Sequence, residues 1–155
     1  MLTGIDLVAT QIRIAAGEPL GFSQADVALR GHAIEFRINA EDPAHEFRPG
    51  AGVVERYHAA GRPGRPDGLA PVRGLRGPAV LRLAARQAHR LGPDRATAIA
   101  RGRVALDELV VDGLVTNVAI HQALLANETF LEGRMTTNLL DRVGSAAFLA
   151  AAARA

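Results

Sequence analysis

The residues that could do chemistry in this chain are its histidines and its closely spaced charged residues. No two histidines stand three or four residues apart, the spacing that would place both imidazoles on one helix face, so no metal site is predicted. The histidines are His32, His45, His58, His89 and His121. Cysteine is absent, which excludes disulfides, cysteine metal sites and thiol nucleophiles.

Two pairs of charged residues remain as candidates. Glu35 and Arg37 are two residues apart in a predicted strand and share one face. They could form a functional pair, although an exposed ion pair is the commoner outcome. Glu41 and Asp42 are adjacent in a predicted turn, where carboxylates usually face solvent. There is also no glycine-rich phosphate loop. The residues taken by themselves therefore indicate no catalytic constellation, only a domain of mixed helices and strands.

Arginine is concentrated in one segment. Residues 61–91 hold seven arginines and one acidic residue, whereas the rest of the chain holds 11 arginines and 15 acidic residues. Such a block could bind phosphates and so make the protein a nucleic-acid binder. No aromatic residue accompanies it to stack on bases, so a solvated arginine-rich loop and helix is the favoured interpretation.

The first half of the chain is predicted to form a helix and two strands. TGIDLVATQIRIAAGEPL has apolar residues at helical spacing, with Thr3 as the expected N-cap and Gly17 as the stop. In HAIEFRINAEDP, every second residue from Ile34 to Ala40 is apolar, which predicts a strand with one buried face. GVVERYHA (52–59) is predicted to be a second strand, paired antiparallel with the first.

The second half is predicted to be helical. DRATAIARGRVALDELVVDG should form a helix capped by Asp94, with inner residues Ile99, Leu106 and Leu109. TNVAIHQALLANETF should form another, capped by Thr116, with inner residues Val118, Leu124 and Leu125. The alanine-rich tail, residues 146–155, has helical propensity but little amphipathic pattern and is expected to fray. No apolar run is long enough to span a membrane, and a cytoplasmic location is expected.

Four stretches carry a resemblance to a known family. They are TGIDLVATQIRIAAGEPL, RGHAIEFRINAEDP, GPDRATAIARGRVALDELVVDGLVTNVAIHQALLANETF and TTNLL. Together they resemble the biotin carboxylase family over residues 2–60 and 92–142. The resemblance implies an α+β fold of the biotin carboxylase C-terminal type, with an N-terminal helix, short antiparallel strands and two or three C-terminal helices. It assigns residues 1–18 to a helix that follows a missing ATP-grasp domain and residues 19–145 to the C-terminal domain.

The resemblance also implies a function. Biotin carboxylase is the ATP-dependent ligase of acetyl-CoA carboxylase, a fatty acid biosynthesis enzyme, and of related carboxylases; it carboxylates carrier-bound biotin with bicarbonate. Its cofactors are ATP, Mg and biotin, and its partners are a biotinyl carrier domain and other biotin carboxylase subunits. The resemblance implies that most catalytic residues and the metal-binding residues belong to the absent ATP-grasp part, so this chain alone is expected to bind no cofactor and to be inactive. Leu139, in TTNLL, aligns with a position at the edge of the nucleotide. A non-catalytic module that docks on intact carboxylase subunits is the alternative.

The chain departs from the family over about residues 62–91. Two family segments, VR-x-[DE]-S and VPPYYDS…KL, are absent, and the arginine-rich block stands in their place. Codons permitted for Val80–Leu91, followed by the first base of Gly92 and read one base later, translate as YYDSLLAKLIVW, which contains the YYDS…KL part of one missing segment. We therefore interpret the block as a frameshift. Residues 61–91 are then expected to be irregular or accidentally helical, to lack strands that pair with 52–59, and to leave Ile34, Phe36 and Ile38 exposed.

Resequencing the DNA that encodes Tyr57 to Arg95 tests this interpretation. We expect a one-base correction near each end of the block to restore both missing segments. A confirmed reading frame whose codons do not encode those segments in any frame would show instead that the block is a genuine insertion.

Overall fold

The computed structural model describes residues 2–50, 52–58, 75–76 and 90–152. The helices in these residues are α1 (Leu7–Ala15), α2 (Arg95–Glu108), α3 (Val118–Ala126), α4 (Glu128–Leu131), α5 (Leu139–Val143) and α6 (Ser145–Ala152), besides a 3-10 turn at Gln24–Asp26. The strands are β1 (His32–Ile34), β2 (Glu41–Asp42), β3 (Arg48–Pro49), β4 (Val53–Val54), β5 (Arg56–His58), β6 (Leu75–Arg76), β7 (Arg90–Gly92) and β8 (Val110–Asp112). They pair antiparallel as β1–β7, β2–β3, β4–β6 and β5–β8. No helix among the described residues is long and apolar enough to cross a bilayer.

Helix α1 forms where it is predicted, but its cap and its packing differ. Asp6 caps it in place of Thr3, and the Asp6 carboxylate accepts from the Ala9 amide at 2.9 Å. Gly17, at φ +89°, closes the helix in a Schellman turn, as expected from its freedom to adopt positive φ. None of the α1 residues is buried, so its predicted inner face has no cover among the described residues.

The alternating burial predicted for the 35–40 segment (residues 35–40) is confirmed. Phe36, Ile38 and Ala40 are buried, while Glu35 and Arg37 are exposed. The expected exposure of Phe36 and Ile38 is therefore wrong, and Ile34 is also partly buried against the same core. The reason is that α2 and α3 cover this face: Phe36 and Ile38 pack with Ile99, Leu106 and Leu125.

The strand pairing differs from the prediction. The 35–40 segment is not a regular strand, and residues 52–58 form β4 and β5 in place of one strand. These strands pair with β6 and β8, not with the 35–40 segment, because the carbonyl of Arg37 and the amide of Asn39 already bond to the side chain of Asn117, just before α3. The expectation that residues 61–91 supply no strand here is wrong at Leu75–Arg76, since pairing needs only backbone groups. The accidental helix expected at 79–91 is wrong at its last two residues, since Arg90 and Leu91 belong to β7 and pair with β1, and its remainder lies outside the described residues.

Helix α2 begins where it is predicted, but it ends at Glu108, with Leu109 as an extended C-cap and not an inner helical residue. The end of the predicted helix is wrong because Val110–Asp112 pair with β5 as strand β8. The Asp94 carboxylate caps α2 by accepting from the Thr97 amide at 2.7 Å, and Ile99 and Leu106 are buried.

The next predicted helix is divided. It begins at Val118, after Asn117 and not Thr116, and it breaks at Asn127. The Asn127 amide donates to Leu124 at the end of α3, while its side chain caps α4 by accepting from the Phe130 amide.

The tail forms α6 and supplies a core residue. Phe148 is 5% exposed and packs with Ile120 and Ala123 of α3 in a second cluster. The tail is therefore anchored as far as this phenylalanine, which the weak amphipathic pattern does not reveal. Helix α3 thus lies between two apolar clusters, with Leu125 facing one and Ile120 the other.

Gly102 is the contact point between α2 and Phe36, and replacing it should destabilise the fold. A Cβ atom there would lie 2.8 Å from Phe36 Cζ and 3.3 Å from Leu125 Cδ1. We expect Gly102→Val to lower the free energy of unfolding by about 1–3 kcal/mol through overpacking. Chemical denaturation measures this change, with Ala100→Val on the exposed face of α2 as the control. A Gly102→Val protein as stable as the parent would contradict the packing described.

Candidate functional site

The carbonyl of Arg37 is the point where α3 meets the 35–40 segment. It accepts hydrogen bonds from Asn117 Nδ2 at 3.0 Å and from His121 Nε2 at 3.1 Å. Asn117 also accepts from the Asn39 amide through Oδ1 at 2.9 Å, and its own amide donates to the Asn39 carbonyl at 3.1 Å. We call these four residues the Arg37 junction. It fixes which side chains of the segment point inward and which point to solvent.

The sequence gives no local sign of the Arg37 junction. Asn117 is only 6% exposed, and asparagine before a helix is ordinarily a cap, but here its side chain makes no capping bond. The ring of His121 lies edge-on to Phe36, with centroids 5.7 Å apart and planes 75° apart. Burial lowers the pKa of His121 below its ordinary value of 6.5, and the hydrogen bond to the Arg37 carbonyl opposes this shift.

Glu35 and Arg37 share an exposed face as predicted, but they do not form the expected ion pair. Ion pairs in the described residues include Asp42–His45, Arg56–Asp112 and Glu132–Arg134. Of the adjacent carboxylates Glu41 and Asp42, Asp42 is the one that stabilises the following turn. Its bonds to the His45 ring and to the Ala44 amide lower its pKa and hold the turn between β2 and β3.

Leu139 lies at the start of α5, half-buried against the second cluster. Phe47 packs on the same cluster from the turn between β2 and β3. Glu46 and Phe47 both have positive φ, 53° and 56°, a conformation that disfavours residues with a side chain. The turn therefore accepts backbone strain in order to bring Phe47 to this cluster. A contact between Leu139 and the edge of a nucleotide stays a prediction.

The histidines and carboxylates do not converge on a cation. Within residues 2–50, 52–58, 75–76 and 90–152, no group of three or more such side chains could hold a metal ion. His32 lies in β1 and His58 in β5, and His89 falls outside the described residues.

Two arginines of α2 hold neighbouring helices and do not form a basic patch. The guanidinium of Arg95 lies 4.9 Å from the ring centre of Phe130 and donates to the carbonyls of Phe130 and Leu131, at the end of α4. Arg103 donates to the Leu125 carbonyl of α3 at 2.6 Å. Of the seven arginines in the 61–91 block, only Arg76 and Arg90 fall within the described residues, so the predicted phosphate-binding role lies almost wholly outside them.

A family comparison accounts for this combination of helices, short strands and two apolar clusters. The family model for the biotin carboxylase C-terminal domain matches residues 35–142, which include the Arg37 junction and Leu139. The chain belongs to the biotin carboxylase family. The resemblance and the α+β fold of this C-terminal type are thereby confirmed.

Sequence relatives agree with this membership. The chain is 43% identical to biotin carboxylase of Nostoc sp. (strain PCC 7120 / SAG 25.82 / UTEX 2576) over 143 residues, covering 92% of this chain and 32% of the relative. It is 41% identical to biotin carboxylase of Pseudomonas aeruginosa, covering 92% and 31%. It is 38% identical to biotin carboxylase of Haemophilus influenzae, covering 92% and 32%. The chain therefore spans about a third of the length of these relatives.

Solved structures share the fold. The biotin carboxylase subunit of pyruvate carboxylase superposes with a TM-score of 0.79 at 37% identity, covering 95% of this chain and 33% of that one. A complex named biotin carboxylase-beta-gamma-ATP, from Campylobacter jejuni, gives a TM-score of 0.74 at 34% identity, covering 92% and 31%. The chain therefore shares the fold of these biotin carboxylase structures.

Replacing Asn117 should separate its role from that of an ordinary helix cap. Asn117→Ala leaves the Asn39 amide without its partner and takes one donor from the Arg37 carbonyl, so we expect a loss of about 1–3 kcal/mol in unfolding free energy. Asn138→Ala, at the exposed start of α5, is the control and should change stability by at most about 0.5 kcal/mol. Equal effects in denaturant titrations would show that the Arg37 junction adds nothing particular to stability.

Proposed function

We propose that this chain supplies the C-terminal domain of a biotin carboxylase, the ligase that uses ATP and bicarbonate to carboxylate carrier-bound biotin. The match of residues 35–142 to the domain family carries the proposal. The relatives of 38–43% identity and the fold shared with solved biotin carboxylases support it. By family, its partners are a biotinyl carrier domain and other carboxylase subunits, in keeping with the similarity to a complete multifunctional pyruvate carboxylase from Rhizobium etli.

ATP and Mg are the cofactors that this function implies. One structural neighbour from Hydrogenobacter thermophilus is described as a complex with MgADP, ADP and bicarbonate. The described residues of this chain do not fit such a set of ligands by themselves, because no cluster of carboxylates or histidines among them could hold the metal. Leu139 offers only apolar contact, which suits the edge of a base and not its phosphates. We therefore propose that the isolated chain is inactive.

A second candidate is a non-catalytic module that docks on intact carboxylase subunits. The exposed apolar face of α1 favours it, since Leu7, Val8 and Ile12 are each about two-thirds exposed, at 68%, 66% and 65%. If this chain co-purifies with the full-length Nostoc relative, docking on intact subunits is supported. If it does not, the role of a domain within one catalytic chain is favoured. No contact among the described residues favours the nucleic-acid alternative.

A chimera tests the catalytic proposal. Residues 1–142 replace the matching part of the Nostoc enzyme in two versions, one that keeps residues 62–91 of this chain and one in which they are the relative's own. We expect the second version to hydrolyse ATP in a bicarbonate- and biotin-dependent way, and the first to lose this activity. The purified 155-residue chain, as a control, should show none. A second version that folds and binds ATP but does not turn over would refute the proposal.

A further inference from the structure

His121 is the titratable member of the Arg37 junction. Because a carbonyl oxygen only accepts hydrogen bonds, the contact at 3.1 Å requires a proton on Nε2, which leaves Nδ1 of the neutral ring unprotonated. The ring lies edge-on to Phe36, itself 3% exposed, so one side of the imidazole faces the first apolar cluster. A second proton would place a positive charge beside this cluster.

The surroundings of His121 hold it in the neutral form. Charged residues occur on most of the elements that pack around α3: Glu35 and Arg37 in the segment, Asp42 at the end of β2, His45 and Glu46 in the turn that follows it, Arg95, Arg101, Arg103, Asp107 and Glu108 on α2, Glu128 on α4, and Asp141 and Arg142 on α5. Helix α6 carries none. Burial is the larger cause of the lowered pKa of His121 and the Arg37 carbonyl the opposing one, with no charged side chain of the described residues contributing.

We propose that His121 is a pH-sensitive latch, which fastens the start of α3 to the 35–40 segment at neutral pH and releases it in mild acid. A local opening hydrates the charged ring at a lower free-energy cost than global unfolding does. Separating α3 from the segment breaks the contacts of His121 and Asn117 with Arg37 and Asn39 while leaving the body of α2 in place. The device is independent of the proposed carboxylation.

The direction of the pH dependence follows from the lowered pKa. The open form, with an ordinary histidine, binds the proton more tightly than the closed form does. The closed form is therefore fully favoured above the ordinary pKa of 6.5 and loses that advantage as the pH falls through the lowered value. For each unit of lowering, the opening equilibrium can rise by about tenfold.

Amide hydrogen exchange on the 155-residue chain tests the latch. The Asn39 amide reports opening, since its acceptor is Asn117 Oδ1, and the Leu106 amide in the body of α2 is the internal reference. Between pH 7.5 and 5, after correction for intrinsic exchange, we expect opening at Asn39 to rise and opening at Leu106 to stay level. His121→Gln, which keeps an N–H donor but cannot titrate, should give a level profile at both amides.

Three results would overturn the latch. Parallel rises at Asn39 and Leu106 would mean global acid destabilisation, and a rise at Asn39 in His121→Gln equal to that in the parent would assign the effect to another group. The third is an NMR titration of the His121 ring in the parent chain with a pKa at or above 6.5. This titration needs no variant, so it decides the matter even if His121→Gln does not fold.

Discussion

The fold depends on satisfying the backbone of a buried segment that pairs with no strand in the part of the chain that the structure describes. Residues 35–40 run through the core, where an unpaired amide or carbonyl would be costly. The side chain of Asn117 makes the hydrogen bonds that a neighbouring strand would make. Its Nδ2 donates to the Arg37 carbonyl, and its Oδ1 accepts from the Asn39 amide. Because the direction of side chains alternates along an extended chain, holding these two positions also holds Phe36 and Ile38 inward.

From this junction, the remaining packing follows through α3. One face of α3 closes the cluster around Phe36, and the other receives Phe148 from α6. The arginines of α2 then fix the neighbouring helices by their terminal carbonyls, as Arg95 does for α4 and Arg103 for α3. Carbonyls at the end of a helix lack an intrahelical partner, so a guanidinium is well suited to those of Leu125 and Leu131. The Phe130 carbonyl accepts from Arg95 as well as from the Gly133 amide.

Local signals predicted much of the fold, and contacts distant in sequence account for most of what they missed. The cap at Asp94, the stop at Gly17 and the alternation from Phe36 to Ala40 depend on neighbouring residues, and all are visible in the sequence. Asn117 and Asn39 are 78 residues apart, and no periodicity links them. The strand partners were missed for the same reason, and so was the junction at Arg37. The predicted site residue Leu139 came from a resemblance, since its own neighbours indicate only a position in an apolar cluster.

Helix α1 has a consequence for how this domain is ordered. Its nine residues are fewer than the roughly 12–15 that an isolated helix needs to be even marginally stable in water. The Asp6 cap and the Gly17 turn close its ends, but no buried side chain contributes to it. Among the described residues its helicity therefore depends on these two ends, and a surface that covered Leu7, Val8 and Ile12 would add to its stability. The amides of α1 would then report whether that surface is present, while the rest of the domain stays unchanged.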